Sequence, residues 1–303
     1  VPLAPAPFGP APEPSDYAVA DDGTRVAVYD FGGSGPDLLL VHATGFCAAV
    51  LAPLASALGD RFSCWALDLR AHGRSDPPAD LDFRWAGFGA DVAAAVALLG
   101  LRRSLAVGHS CGGASVVLAE EATPGTFAAL YCFEPVILRN PPVEGPMDDN
   151  PLSAGARRRR ETFPSAEDAF VNFAGKMPFK ELDPDVLRLY VEAGLEPVPP
   201  GDGGDGHEVR LRCRREHEAA VYAWAPFHSA FAGLGGVGCP VTLVCGAETD
   251  SFPPAHLDRL AARLPLARVE VLPGLGHFGP LQDPPAVARS VGLAFPESDT
   301  PGP

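Results

Sequence analysis

The sequence predicts an α/β fold, a mainly parallel sheet with helices on both faces and a cap inserted along the way. Three observations carry this. Short apolar runs such as DLLLVHA, RSLAVGHS and PVTLVC recur, each suited to one strand buried on both faces. Longer segments of helical character separate them, which is the alternation a parallel sheet requires. The rhythm breaks between about Leu138 and Gly236, where Pro-rich and polar stretches intervene.

The elements follow in order. YAVAD and TRVAVYDFGG read as an antiparallel hairpin turning at DDGT. The strand DLLLVHA comes next, then the helix CAAVLAPLASAL. FSCWALDL is a strand, and WAGFGADVAAAVALLGL is a helix stopped by a glycine. RSLAVGHS, CGGASVVLAEEA and FAALYCFEP read as strand, helix and strand. After the break come PVTLVC, AHLDRLAARL, ARVEVLPG and PPAVARSVGLAF, again strand, helix, strand and helix. Within the break, SAEDAFVNFA and DPDVLRLYVEAG look helical, and GDGGDGH reads as a flexible loop. The expected organisation is a core of residues 17–138 and 236–296, a cap of 139–235, and loose tails at 1–16 and 297–303.

Composition bounds the function. A net charge of −15 argues against a general affinity for nucleic acid or an anionic membrane. No run approaches a membrane span, and the Pro/Ala-rich beginning lacks the basic and apolar regions of a signal peptide. The 7 cysteines include no C-x-x-C pair, and several lie in apolar runs such as LYCF. They read as reduced, mostly buried thiols, which suits a cytoplasmic protein. No histidine pair has metal-binding spacing, so no metal is expected.

The strongest chemical signal is GHSCG, residues 108–112, at a strand-to-helix junction. A tight turn there exposes the hydroxyl of Ser110, and Gly108 and Gly112 let strand and helix approach. A serine nucleophile makes a tetrahedral intermediate whose oxygen turns negative, and N–H groups must hold it. One donor is the amide of Cys111. The other belongs to HATGF, residues 42–46, with Thr44 the expected residue. His277, in GLGHFGPLQDP, sits before the last helix and suits a general base. Of the remaining histidines, His42 should order the HATGF loop and His72 should support the site. His109 should point away from it. His207, His217, His228 and His256 read as ordinary surface residues.

HATGF, LDLRAHGRSD, GHSCGG and GLGHFGPLQDP, in this order, resemble the α/β-hydrolase family over most of residues 17–138 and 236–295. The resemblance implies a mostly parallel eight-stranded sheet and a variable cap after the sixth strand. It implies a hydrolase needing no cofactor. Members with an aspartate nucleophile, the haloalkane dehalogenases and epoxide hydrolases, are disfavoured by Ser110.

The serine–histidine pair needs an acid to orient the imidazole. In much of the family the acid follows the seventh strand, in a pattern G-x-x-D-x-x-x-P. Laid on GAETDSFP, residues 246–253, that position falls on Thr249, with Asp250 one residue late and Glu248 one early. The family's other station follows the sixth strand, where LYCFEP places Glu134 at the catalytic edge of the sheet. The expected acid is therefore Glu134, with Asp250 as the alternative and Glu248 behind both.

The expected activity is hydrolysis of a small carboxylic ester or lactone through an acyl-enzyme on Ser110. The same residues would serve a C–C bond hydrolase or a biosynthetic cyclase or acyltransferase. A non-catalytic small-ligand binding protein is the rival from another class. The basic run ARRRRE, residues 156–161, reads as a solvated helix face, and RLRCRREHE as a set of local ion pairs. Cap aromatics, among them Phe163, Phe173, Phe179 and Tyr222, divide between cap core and pocket lining.

Overall fold

A computed structural model describes residues 10–139, 145–199 and 207–296. The C-terminal tail, residues 1–9 and the GDGGDG tract lie outside the described residues.

The chain opens with β1 (Asp16–Val19) and β2 (Arg25–Gly33), an antiparallel hairpin in the register Asp16↔Val28. Then come β3 (Asp37–Val41), α1 (Ala52–Leu58), β4 (Ser63–Leu67), α2 (Trp85–Leu99), β5 (Ser104–His109), α3 (Cys111–Ala122) and β6 (Phe127–Phe133). Gly100 ends α2 in the left-handed conformation, φ 64°, and its N–H closes on Val96 and Ala97 carbonyls.

The segment after β6 carries α4 (Pro151–Arg157), β7 (Thr162–Phe163), α5 (Ala166–Ala174), α6 (Pro184–Gly194), β8 (Leu195–Pro197), β9 (Val209–Leu211), α7 (Arg215–Trp224) and α8 (Ala230–Gly233). The helices read from the sequence, α5 and α6, start at Ser165 and Asp183, whose side chains accept from first-turn N–H groups. The remaining elements are additions to that expectation. The strands β7, β9 and β8 form a small antiparallel sheet. The chain then returns through β10 (Val241–Gly246), α9 (Pro254–Ala261), β11 (Ala267–Leu272), α10 (Gly279–Gln282) and α11 (Pro284–Ala294).

The main sheet has eight strands in the order β1-β2-β4-β3-β5-β6-β10-β11, parallel from β4 onward. Alternation along the strands divides the core between its two faces. Leu38, Leu40, Tyr131 and Phe133 face a layer shared with α1 and α11. Leu39, Val41, Leu130 and Cys132 face the layer of α2, α3 and α9. Each fully buried leucine of this kind stabilises the fold by about 1.5–3 kcal/mol. The first layer also takes in Phe46 and the inserted residues Phe163, Phe173 and Tyr190, while Val221, Ala225 and Ala230 join the second, so the insert reaches both layers.

Three departures concern side chains. Arg159, expected on a solvated face, is mostly buried and paired with Glu218, and its guanidinium donates to Tyr190 Oη at 2.7 Å. Apart from Arg215 with Glu216, the RLRCRREHE pairs run to distant segments, from Arg210, Arg212 and Arg214 to Glu196 and from Arg214 and Arg215 to Glu161. His228, expected at the surface, is buried and stacked on Trp85 at 5.1 Å. An imidazole over an indole face gains contact that water would not supply.

Candidate active site

The sheet's C-terminal edge gathers the loops that follow β3, β5, β6, β10 and β11. One is the turn between β5 and α3. Ser110 there has φ 56° and ψ −113°, a region non-glycine residues rarely occupy. Two glycines permit the turn. A Cβ on Gly108 would stand 2.5 Å from Gly112 O, and one on Gly112 would stand 2.3 Å from Val41 O. The backbone is held by Ser110 N–H donating to Phe133 O at 2.9 Å and Val136 N–H donating to Ser110 O at 3.1 Å.

Another loop carries His277, between β11 and α10. Its Nδ1–H donates to Glu134 Oε2 at 2.7 Å, which leaves Nε2 as the acceptor for the Ser110 hydroxyl at 3.2 Å. Glu134 lies one residue past β6 with φ 44° and is fully buried. Its Oε1 accepts Gly246 N–H at 3.1 Å, and its Oε2 also accepts the Thr249 hydroxyl at 2.8 Å. Ser110, His277 and Glu134, drawn from three separate loops, thus form one continuous hydrogen-bonded chain. Asp250 is not part of it. Its side chain is exposed and accepts from Ser251 Oγ at 3.0 Å, and Glu248 is exposed as well.

His109, the residue before Ser110, holds the His277 loop. Burial first, then the neighbouring His277 ring, pushes its pKa well down, so the ring is neutral. Its Nε2–H donates to His277 O at 2.8 Å.

A further loop is HATGF. Thr44 lies beside the Cys111 thiol, which burial pushes up to about 12 and keeps protonated. Cys111 is the first residue of α3, so its N–H lies outside that helix's own ladder. The loop is fixed from below by two buried imidazoles 5.2 Å apart. His72 Nε2 accepts Gly45 N–H at 3.0 Å, and His42 Nε2 accepts Leu69 N–H at 3.0 Å. Each ring's Nδ1–H donates to a backbone carbonyl, of Arg70 and Ala43 respectively. Burial lowers His42 to about 4 and, with the His42 ring adding to it, His72 to about 3. Asp68 completes the support by accepting Ala48 N–H at 2.6 Å and Tyr29 Oη–H at 2.6 Å.

The insert also contributes. Phe46 meets Phe179 at 5.7 Å, Tyr190 at 5.4 Å and Phe278 at 5.7 Å, giving an aromatic wall beside His277. The Arg159–Glu218 pair abuts Gly45, since a Cβ there would stand 2.7 Å from Glu218 Oε1. A composition-based reading misses Arg159, because three other arginines surround it in the same run. The sequence lays the family's acid position on Thr249, but nothing in it shows that the Thr249 hydroxyl bonds Glu134.

Among the described residues no cluster of His, Cys, Asp and Glu is disposed to hold a metal ion, and no helix is long and apolar enough to cross a membrane.

Comparison with known proteins agrees with this architecture. The model of the alpha/beta hydrolase family matches residues 38–290. The chain is similar to 2-(acetamidomethylene)succinate hydrolase of Mesorhizobium japonicum, 28% identical over 247 residues, which is 81% of this chain and 83% of that one. It is similar to N-formylmaleamate deformylase of Pseudomonas putida, 33% identical over 129 residues, 42% of this chain and 46% of that one. In three dimensions it resembles E-2-(acetamidomethylene)succinate hydrolase, with a TM-score of 0.75 at 24% identity over 92% of this chain and 98% of that one. It also resembles a thermophilic esterase from Thermogutta terrifontis, with a TM-score of 0.69 at 18% identity over 94% of this chain and 99% of that one. The eight-stranded mixed sheet and a family match running through most of its length make this chain a member of the alpha/beta hydrolase family.

Proposed function

We propose that the protein is a serine hydrolase that cleaves a small carboxylic ester or lactone through an acyl-enzyme on Ser110. The observation that carries this is the hydrogen-bonded chain from Ser110 Oγ through His277 to Glu134, at 3.2 and 2.7 Å. Ser110 Oγ attacks the carbonyl carbon while His277 Nε2 takes its proton. The carbonyl oxygen becomes an oxyanion held by the N–H groups of Thr44 and Cys111. Glu134 stabilises the imidazolium and fixes its orientation. The imidazolium then protonates the leaving oxygen, and the carbon–oxygen bond breaks. Water, deprotonated by the same Nε2, attacks the acyl carbon and releases the acid and free Ser110.

A second leaving group has a specific observation in its favour. The relatives are named for an acetamido-substituted succinate and for N-formylmaleamate, both carrying an acyl group on nitrogen. The same steps cleave an amide if the imidazolium protonates the departing nitrogen. The aromatic wall around Phe46 suits an apolar substrate group. The 7 cysteines, all free and buried, support a reducing compartment such as the cytoplasm.

The test is labelling with a fluorophosphonate, followed by intact mass and peptide mapping. A serine hydrolase labels stoichiometrically at Ser110 and not in Ser110→Ala. A binding protein with an idle serine labels slowly or nowhere. Parallel assays of p-nitrophenyl acetate and p-nitroacetanilide separate ester from amide cleavage.

A further inference from the structure

Among the described residues, Thr249 is the one side chain besides His277 that bonds Glu134 Oε2, and the arrangement around it is directional. Its Oγ1 lies 2.8 Å from that carboxylate oxygen and 3.2 Å from Ser251 N. The Ser251 amide can only donate, so it takes a lone pair of the hydroxyl. The carboxylate oxygen has no proton to give in its role as acceptor for His277. The single hydroxyl proton therefore points at Oε2. Together with Gly246 N–H on Oε1, it clamps both oxygens of a fully buried side chain.

We propose that Thr249 is a positioning residue of the catalytic chain, which sets the Glu134 carboxylate for His277 Nδ1. This rests on the serine-hydrolase reading above. Thr249 and His277 bond the same oxygen, so their polar atoms are separated by no more than two hydrogen-bond lengths. Thr249 lies on the loop after β10, whereas Glu134 lies after β6. The two strands are neighbours in the sheet, paired to Phe133↔Val244, which is why two loops distant in sequence converge on one ring.

The experiment compares steady-state ester hydrolysis by wild type, Ser110→Ala, Thr249→Val and Thr249→Ser, with a thermal melt of each. Loss of one hydrogen bond to a charged group should lower kcat of Thr249→Val about tenfold, with KM unchanged. Thr249→Ser keeps the hydroxyl and should stay near wild type. Wild-type kcat in Thr249→Val overturns the proposal, as does an equal loss in Thr249→Ser. Failure of the underlying reading shows separately, because Ser110→Ala would then turn over like wild type, overturning both.

Discussion

The two imidazoles beneath the HATGF loop make acid a specific perturbation. His42 and His72 are buried and neutral, held down to about 4 and about 3. In the unfolded chain each titrates near 6.5. Below that pH the unfolded chain binds protons that the folded one refuses, so stability is complete above pH 6.5 and declines as pH falls toward the folded values. At pH 5 each ring contributes a loss of about 2 kcal/mol, or about 4 kcal/mol for the pair. Protonation would also place an N–H against Gly45 N–H, where His72 Nε2 now accepts at 3.0 Å. The assay is urea unfolding at pH 7.5 and 5.0 for wild type and for His42→Gln/His72→Gln. Glutamine retains an acceptor but does not titrate. Wild type should lose on the order of 4 kcal/mol more than the double variant between the two pH values. Equal losses would refute the assignment of neutral rings to this loop.

Other outcomes follow from the packing. Gly108→Ala should destabilise by at least about 1–3 kcal/mol, because every atom nearest its Cβ is backbone of the elbow, and the same unfolding assay reads it. Arg159→Met should cost about 3–5 kcal/mol by leaving Glu218 buried and unpaired, and Arg159→Met/Glu218→Gln should recover most of that, as read by thermal melts. Phe46→Ala should lower stability by about 3–5 kcal/mol and raise KM for aryl esters, since Phe46 joins the insert to the His277 loop.

Much of this was legible in sequence because the chemistry sits at strand ends. DLLLV, LAVGH and VTLVC are too apolar for anything but strands buried on both faces, and each delivers its following loop to one edge of the sheet. Glu134 was legible for the same reason, as the first polar residue after an apolar strand. The insert was less so. Its strands are only two or three residues long, too short for any alternation to register. Arg159 and its neighbours in ARRRRE are identical letters, and only the fold turns Arg159 toward Glu218 while Arg157 faces Asp148 and Glu216. Thr249 stands where the family pattern would place an acid, but its hydrogen bond depends on two loops meeting in space. His228 shows the reverse case, a polar residue buried because Trp85 offers a ring to cover.

The central claim is a serine hydrolase whose acid is Glu134. Its most direct test is p-nitrophenyl acetate hydrolysis by wild type, Ser110→Ala, Glu134→Gln and Asp250→Asn, measured side by side on folded protein. The account predicts that Ser110→Ala is inactive, that Glu134→Gln falls by on the order of 10⁴, and that Asp250→Asn keeps wild-type turnover. Collapse of Asp250→Asn with Glu134→Gln intact would contradict it.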